Sequence, residues 1–131
     1  MITFLLAIPY VIQVNDTGTL TYMINVTNVL LVDDCRDADF IEKAYGIRPT
    51  NVAKTYDEAI QIIQTKHFNI IMMDHDLGCF DKDGKEYNGT HVLTFIEPNP
   101  QYKPDDFIMV SANPVGRKNM QIIIDRILTK K

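Results

Sequence analysis

The chain is poor in cysteine, has no surplus of basic charge and lacks any apolar run long enough to cross a bilayer. Its 131 residues include two cysteines, Cys35 and Cys79, and no CxxC pair. A disulfide scaffold is thereby excluded and a cysteine-built zinc site argued against. A reducing, cytoplasmic setting fits this usage. Lys and Arg number 13 against 17 Asp and Glu, a formal net charge of -4. A protein that coats duplex DNA needs a strong positive field, so bulk duplex DNA binding is not expected. The N-terminal apolar run Ile2–Ile8 has no Lys or Arg before it and is broken by Pro9. It is too short to span a membrane and wrongly flanked for a signal peptide. Neither a Walker A sequence nor a G-x-S-x-G elbow is present, so those two chemistries have no motif here.

What is there suits one globular domain: 46% hydrophobic and 23% charged residues, enough to bury a core without staples. From Val29 onward, short apolar runs alternate with amphipathic stretches. Val29–Val32 is a continuous apolar run followed by Asp33 and Asp34, as in a buried parallel strand. Asp37 or Asp39 is placed to cap a helix through Tyr45, with Gly46 as its C-cap. Val52-Ala53 marks a weaker second strand. Thr55-Tyr56-Asp57-Glu58 reads as a capping box, and Tyr56, Ala59, Ile60 and Ile63 then share one helical face. Residues 69–73 form a third strand ending at Asp74, and the polar stretch 75–88 reads as a loop. Thr90–Ile96 is helical and stops before Pro98. Residues 107–110 form a fourth strand ending at Ser111, and Asn113-Pro114 opens a last helix.

Such alternation predicts an α/β fold, a parallel sheet with helices on both faces. Ligands of these sheets bind beyond the carboxyl ends of the strands. Residues 1–28 stand apart, as two β-rich runs around Asn15-Asp16-Thr17-Gly18, a turn sequence that predicts an N-terminal β-hairpin extension. Residues 29–131 are then the working domain. Met23 offers an alternative start that leaves the alternating unit whole.

Four carboxylates, Asp33, Asp34, Asp74 and Asp76, are predicted to meet at one sheet edge. Their repulsion is relieved by a hard divalent cation such as Mg²⁺, which prefers oxygen ligands. His75, between Asp74 and Asp76, suits a proton donor, because adjacent acids favour its charged form. The turn Ser111-Ala112-Asn113-Pro114-Val115-Gly116 joins a strand to a helix N-terminus, where an anion is favoured. Arg117 and Asn119 follow on the first turns of that helix, so the segment reads as a phosphate cradle. Asp81-Lys82-Asp83-Gly84 fails as a calcium loop, because Cys79 and Thr90 occupy the terminal ligand positions, and it reads as a solvated turn. His67 reads as structural, and His91 as a surface residue able to face the site.

Acids after the first and third strands and a hydroxyl after the fourth resemble the receiver domain of two-component signalling. Asp33 and Asp34 then match metal-binding acids, Asp74 the phosphoacceptor and Ser111 the hydroxyl residue. The chain departs from that pattern in having no fifth strand or following lysine after the fourth helix. The motifs Asp33-Asp34-x-Arg36, Asp74-His75-Asp76-Leu77-Gly78 and Ser111-x-Asn113-Pro114-x-Gly116-x-x-Asn119-Met120 are similar to those of the cyclic-phosphate-processing receiver family, shortened receiver relatives of bacteria and phages. The resemblance implies a three-layer α/β/α receiver-like (flavodoxin-like) fold with a truncated parallel sheet. It also implies action on a cyclic phosphate of a nucleotide or RNA end, in RNA repair or phage–host conflict. In that reading Asp33, Asp34 and Asp74 hold the metal, while Asp74, His75 and Asp76 are catalytic. Arg36, Ser111, Asn113, Gly116, Arg117 and Asn119 bind phosphate. The family places a histidine just before the motif serine, and here that position is Val110. The acid–base role then falls to His75 or His91. The alternative is a non-catalytic receiver-like module that binds a phosphorylated ligand or partner.

Overall fold

Val29–Val32 and Ile70–Met73 consist only of apolar residues, and all of them are buried. A strand with no polar face belongs at the centre of a parallel sheet covered on both sides, and both lie there. The structure is a computed structural model that describes residues 2–4, 10–14, 17–18, 20–25 and 27–130. In chain order its strands are β1 (Ile2–Phe4), β2 (Tyr10–Val14), β3 (Leu20–Asn25), β4 (Val29–Val32), β5 (Asn51–Ala53), β6 (Ile70–Met73), β7 (Cys79–Phe80), β8 (Glu86–Tyr87) and β9 (Asp106–Met109). The helices are α1 (Ala38–Tyr45), α2 (Tyr56–Ile63), α3 (Gly89–Ile96) and α4 (Pro114–Thr129), with a 3₁₀ turn at Pro100–Tyr102.

The main sheet is four-stranded and parallel, in the order β5-β4-β6-β9. From β4 the chain steps to one side for β5, then crosses to the other for β6 and β9. Strand order therefore reverses between β4 and β6, and their carboxyl ends flank the crevice where ligands of such sheets bind. Alternate residues face opposite layers. Leu30, Val32, Ile71 and Met73 pack with Ala59, Ile63, Val92, Leu93, Met120 and Ile124 of α2, α3 and α4. Val29, Leu31, Ile70 and Met72 pack with Ile41 of α1. The three-layer α/β/α fold is thus present.

The helix ends follow their local chemistry. Asp37, rather than Asp39, caps α1 by accepting the Phe40 N–H, and Gly46 closes it at φ 76°, a left-handed conformation that suits glycine. Thr55 accepts the Glu58 N–H at the start of α2, while the Glu58 carboxylate reaches back to the Lys54 N–H. Asn113 caps α4 with Pro114 at its first turn.

Two expectations change. The stretch read as a loop contains the short antiparallel pair β7–β8, whose connecting turn is tied by Asp81 Oδ1 accepting from Asp83 and Lys85. At the N-terminus β2 and β3 pair antiparallel as expected, but the first β-rich run, before the Asn15–Gly18 turn, yields two strands, with β1 pairing to β2. Pro9, Asn15 and Asp16 lie outside the described residues.

Candidate functional site

The acid cluster begins with Asp33, which is fully buried at the end of β4. Its Oδ1 accepts the N–H groups of Cys35 and Arg36, at 2.9 and 3.0 Å. Its Oδ2 takes the Arg36 guanidinium at 2.8 Å. These bonds meet the requirement that a buried charge be paired and hydrogen-bonded. Asp34 is exposed and lies against Gly78, where an added Cβ would sit 3.2 Å from Asp34 Oδ2. Gly78 also holds φ 61°, a left-handed conformation that favours glycine.

Asp74, at the end of β6, is 6% exposed. Its Oδ1 accepts the His75 N–H, and its Oδ2 lies 3.7 Å from the Arg36 guanidinium. Burial and then the neighbouring charge of Asp33 hold the Asp74 carboxyl above the usual aspartate range, against the opposing pull of Arg36 and the His75 N–H. One carboxylate oxygen from each of Asp33, Asp34 and Asp74 falls within 4.8 Å of the others. This oxygen-only set suits a hard cation in donor type. Arg36 supplies the positive charge that the side chains themselves bring. The Asp33 bond, ahead of the opposing effect of burial, holds its guanidinium pKa raised.

His75 adjoins the cluster. Its Nδ1 pairs with Asp76 Oδ1 at 2.9 Å, and Asp76 Oδ2 lies 3.5 Å from the Asn113 amide nitrogen. The ring, 14% exposed, packs on α4: a Cβ at Gly116 would sit 2.4 Å from His75 Cγ. Gly116 thus admits the imidazole, while its N–H donates to Asn113 Oδ1 at 3.0 Å. Gly89 is as tightly placed, since a Cβ there would meet the Asp74 carbonyl oxygen at 2.2 Å. The Asp74-His75 turn is therefore pressed between the first residues of α3 and α4.

An open cleft of about 610 Å³ runs beside the cluster, lined among others by Asp34, Arg36, Asp74, Asp76 and Asn113. Ser111 is buried at the end of β9, and its Oγ accepts the Asn113 N–H at 3.1 Å. Arg117 turns back to the strand end, donating to the Ser111 carbonyl at 3.0 Å and to that of Met109 at 3.5 Å. Asn119 is exposed on α4 and outside the cleft lining. The structure thus gathers Asp33, Asp34, Asp74, Arg36, Asp76 and Asn113, with His75 against α4, and does not bring Arg117 or Asn119 into the lining.

A family model described as the cyclic-phosphate processing receiver domain matches residues 28–126. The chain belongs to that family. Among curated proteins, none matches this chain. One similar solved structure is a yeast Spc42 trimeric coiled coil, amino acids 181–211, fused to another structure. It shares 18% identity at a TM-score of 0.52, over 73% of this chain and 59% of that one. At that identity the likeness speaks for the fold, and this receiver domain spans about three fifths of the structure it matches.

Two further placements bear on this receiver domain. Val110 is 3% exposed and packs in the layer of Leu31, Ile41 and Met72, so this position serves the core. His91 is the third residue of α3, and its Nδ1 accepts the Asn88 N–H at 3.0 Å in a capping box, which settles its structural use. Sequence reasoning missed Asp37 and Phe40, both in the cleft lining. The signal for Phe40 was the adjacent pair Phe40-Ile41: in one short helix, neighbours 100° apart do not both face the same layer.

Proposed function

We propose that this receiver domain is a metal-assisted phosphoesterase that opens a cyclic phosphate on a nucleotide or RNA end. The observation that carries the reading is the approach of Asp33, Asp34 and Asp74 to within 4.8 Å beside a cleft, in a chain of a cyclic-phosphate processing family. A divalent cation such as Mg²⁺, held by these three carboxylates, would polarise a phosphoryl oxygen and lower the pKa of water. Arg36 offsets charge within the cluster and offers a guanidinium to the phosphate. Asp76 fixes the orientation of His75 through Nδ1, which leaves Nε2 as the ring atom that exchanges a proton with the reactants. As water adds to phosphorus it gives a proton to His75 Nε2, the bond to one ribose oxygen breaks, and that proton passes from Nε2 to the leaving oxygen. Ala112 and Asn113 line the cleft after β9, with Ser111 buried beside them and bonded to the Asn113 N–H.

Incubation with a 2′,3′-cyclic nucleotide and Mg²⁺ tests this. The expected product is a phosphomonoester, and Asp74→Ala is expected to lower the rate at least ~10²-fold, the scale of one electrostatic contributor to a transition state. No turnover with any of several divalent metals, or full activity in Asp74→Ala, overturns the mechanism.

A second reading is a module that binds a phosphorylated ligand without turnover. Two observations favour it: Arg36 already gives the cluster an internal counter-charge, and Val110 stands in the core where the family places histidine. Ligand binding without turnover would select it. A labile adduct at Asp74 after phosphodonor treatment would instead select signalling.

A further inference from the structure

The cleft extends beyond what a phosphate group requires, and its outer wall is aromatic. Phe40 lies in the lining together with Arg36, Asp74 and Asn113. The residue is left 53% exposed, while the next residue, Ile41, is fully buried. Among the described residues, the other large exposed hydrophobics, Phe80, Val115 and Ile122, are not in the lining of this cleft. A volume of about 610 Å³ falls in the range of small-molecule sites. An exposed aromatic ring beside a phosphate site offers what a nucleobase needs, a flat apolar face with few rotatable bonds.

The backbone that carries the ring is also held in place. Phe40 is the third residue of α1, and its N–H donates to the capping Asp37 carboxylate at 2.8 Å. The backbone that carries the ring is thus tied to the same β4–α1 segment that carries Asp33, Asp34 and Arg36. A ligand whose phosphate lies at the acid cluster meets Phe40 along the same wall of the cleft. The acidic floor disfavours a long polyanion lying across it, whereas a single terminal nucleotide brings one phosphate and one uncharged base.

We propose that Phe40 is the stacking platform for the base of a nucleoside cyclic phosphate, which makes the ligand a nucleotide rather than a cyclic phosphate in general. This rests on the cyclic-phosphate reading of the acid cluster and adds the base to it. Stacking reads a π-face, so discrimination among bases is expected to be weak, with purines favoured by their area.

The test measures binding rather than turnover, so that a catalytically idle chain still responds. Full-length protein with Mg²⁺ is titrated with adenosine 2′,3′-cyclic phosphate and with base-free 1-O-methylribose 2,3-cyclic phosphate. Phe40→Ala is expected to weaken nucleotide binding roughly 5- to 150-fold, the general scale for loss of one base–aromatic stack. The preference for nucleotide over the base-free compound collapses with it. Phe40→Trp is expected to keep that preference, which separates stacking from a folding defect. Unchanged nucleotide affinity in Phe40→Ala, or equal weakening for both compounds, overturns the Phe40 assignment and leaves the cyclic-phosphate reading standing. Failure of the wild type to bind either compound overturns both.

Discussion

At the end of β4 the Asp33 carboxylate accepts the N–H of Cys35, two residues on. At the end of β9 the Ser111 hydroxyl accepts the N–H of Asn113, again two residues on. Each turn then supplies a cap, Asp37 for α1 and Asn113 for α4, bonded to the third residue of its helix. Two strand-to-helix turns thus share one hydrogen-bond plan. They differ in charge: the β4 turn uses carboxylates at both positions, the β9 turn neutral groups. The local backbone problem does not require the carboxylates, since Ser and Asn solve it. The charge at the β4 end is therefore more than the turn itself requires, and the Asp33 carboxylate uses it to hold Arg36, which also approaches Asp74.

The comparison breaks most visibly at Asp33. Asp33→Ala removes the acceptor of two N–H groups and the partner of Arg36, and about 2–3 kcal/mol of stability is expected to go with it. Ser111→Ala, at the matching position, is expected to cost about 1 kcal/mol. Urea denaturation of both variants checks the ratio, and equal losses would remove the distinction drawn between the two turns.

Asp74→Asn is expected to act in the opposite direction, raising stability by roughly 1 kcal/mol at pH 7 without metal, since functional sites commonly hold such reserve. The sign follows from the raised Asp74 pKa. The folded chain holds this proton more tightly than the unfolded chain does. The group's contribution is therefore fully present below the ordinary aspartate pKa of about 3.9, and it is lost as pH rises through the higher folded value. Wild type and Asp74→Asn should converge in acid and separate toward neutrality, as followed by denaturant titration in EDTA. Added Mg²⁺ should then stabilise the wild type and leave the variant behind.

The caps give the smallest effects. Asp37→Ala and Asn113→Ala are each expected to cost about 1 kcal/mol. Only the Asp37 loss should shrink with added salt, because a carboxylate at a helix N-terminus also interacts with the helix dipole. Thermal melts at low and high ionic strength measure this.

Much of this arrangement was legible in the residues. Apolar runs ending in acids located β4 and β6, and Asn113-Pro114 located the start of α4, because burial and capping leave local signatures. The two-residue strands β7 and β8 were not legible, since such lengths carry no period. Nor was the position of Arg36 between Asp33 and Asp74, which depends on how two strands distant in sequence lie side by side, with Val29 opposite Ile70 and Val32 opposite Met73. The sequence presents Gly116 as an approach for phosphate, whereas the fold packs the His75 ring against it. Its smallness was visible in the sequence, but the group that exploits it was not.

The Arg117 guanidinium and the carbonyls it grips have a consequence beyond the cleft. Strand β9 stands at the border of the four-stranded sheet, and in its register with β6 the backbone groups of Phe107 and Met109 point outward. Such a border is a template for recruiting strands from other molecules. Here the Phe107 N–H is taken by the carboxylate of Asp106 at 2.8 Å, and the Met109 carbonyl is covered by Arg117. One acid and one base, both charged and both local, occupy positions that an incoming strand would need. The short sheet thereby carries its own barrier to sticking, written into side chains rather than into an additional strand.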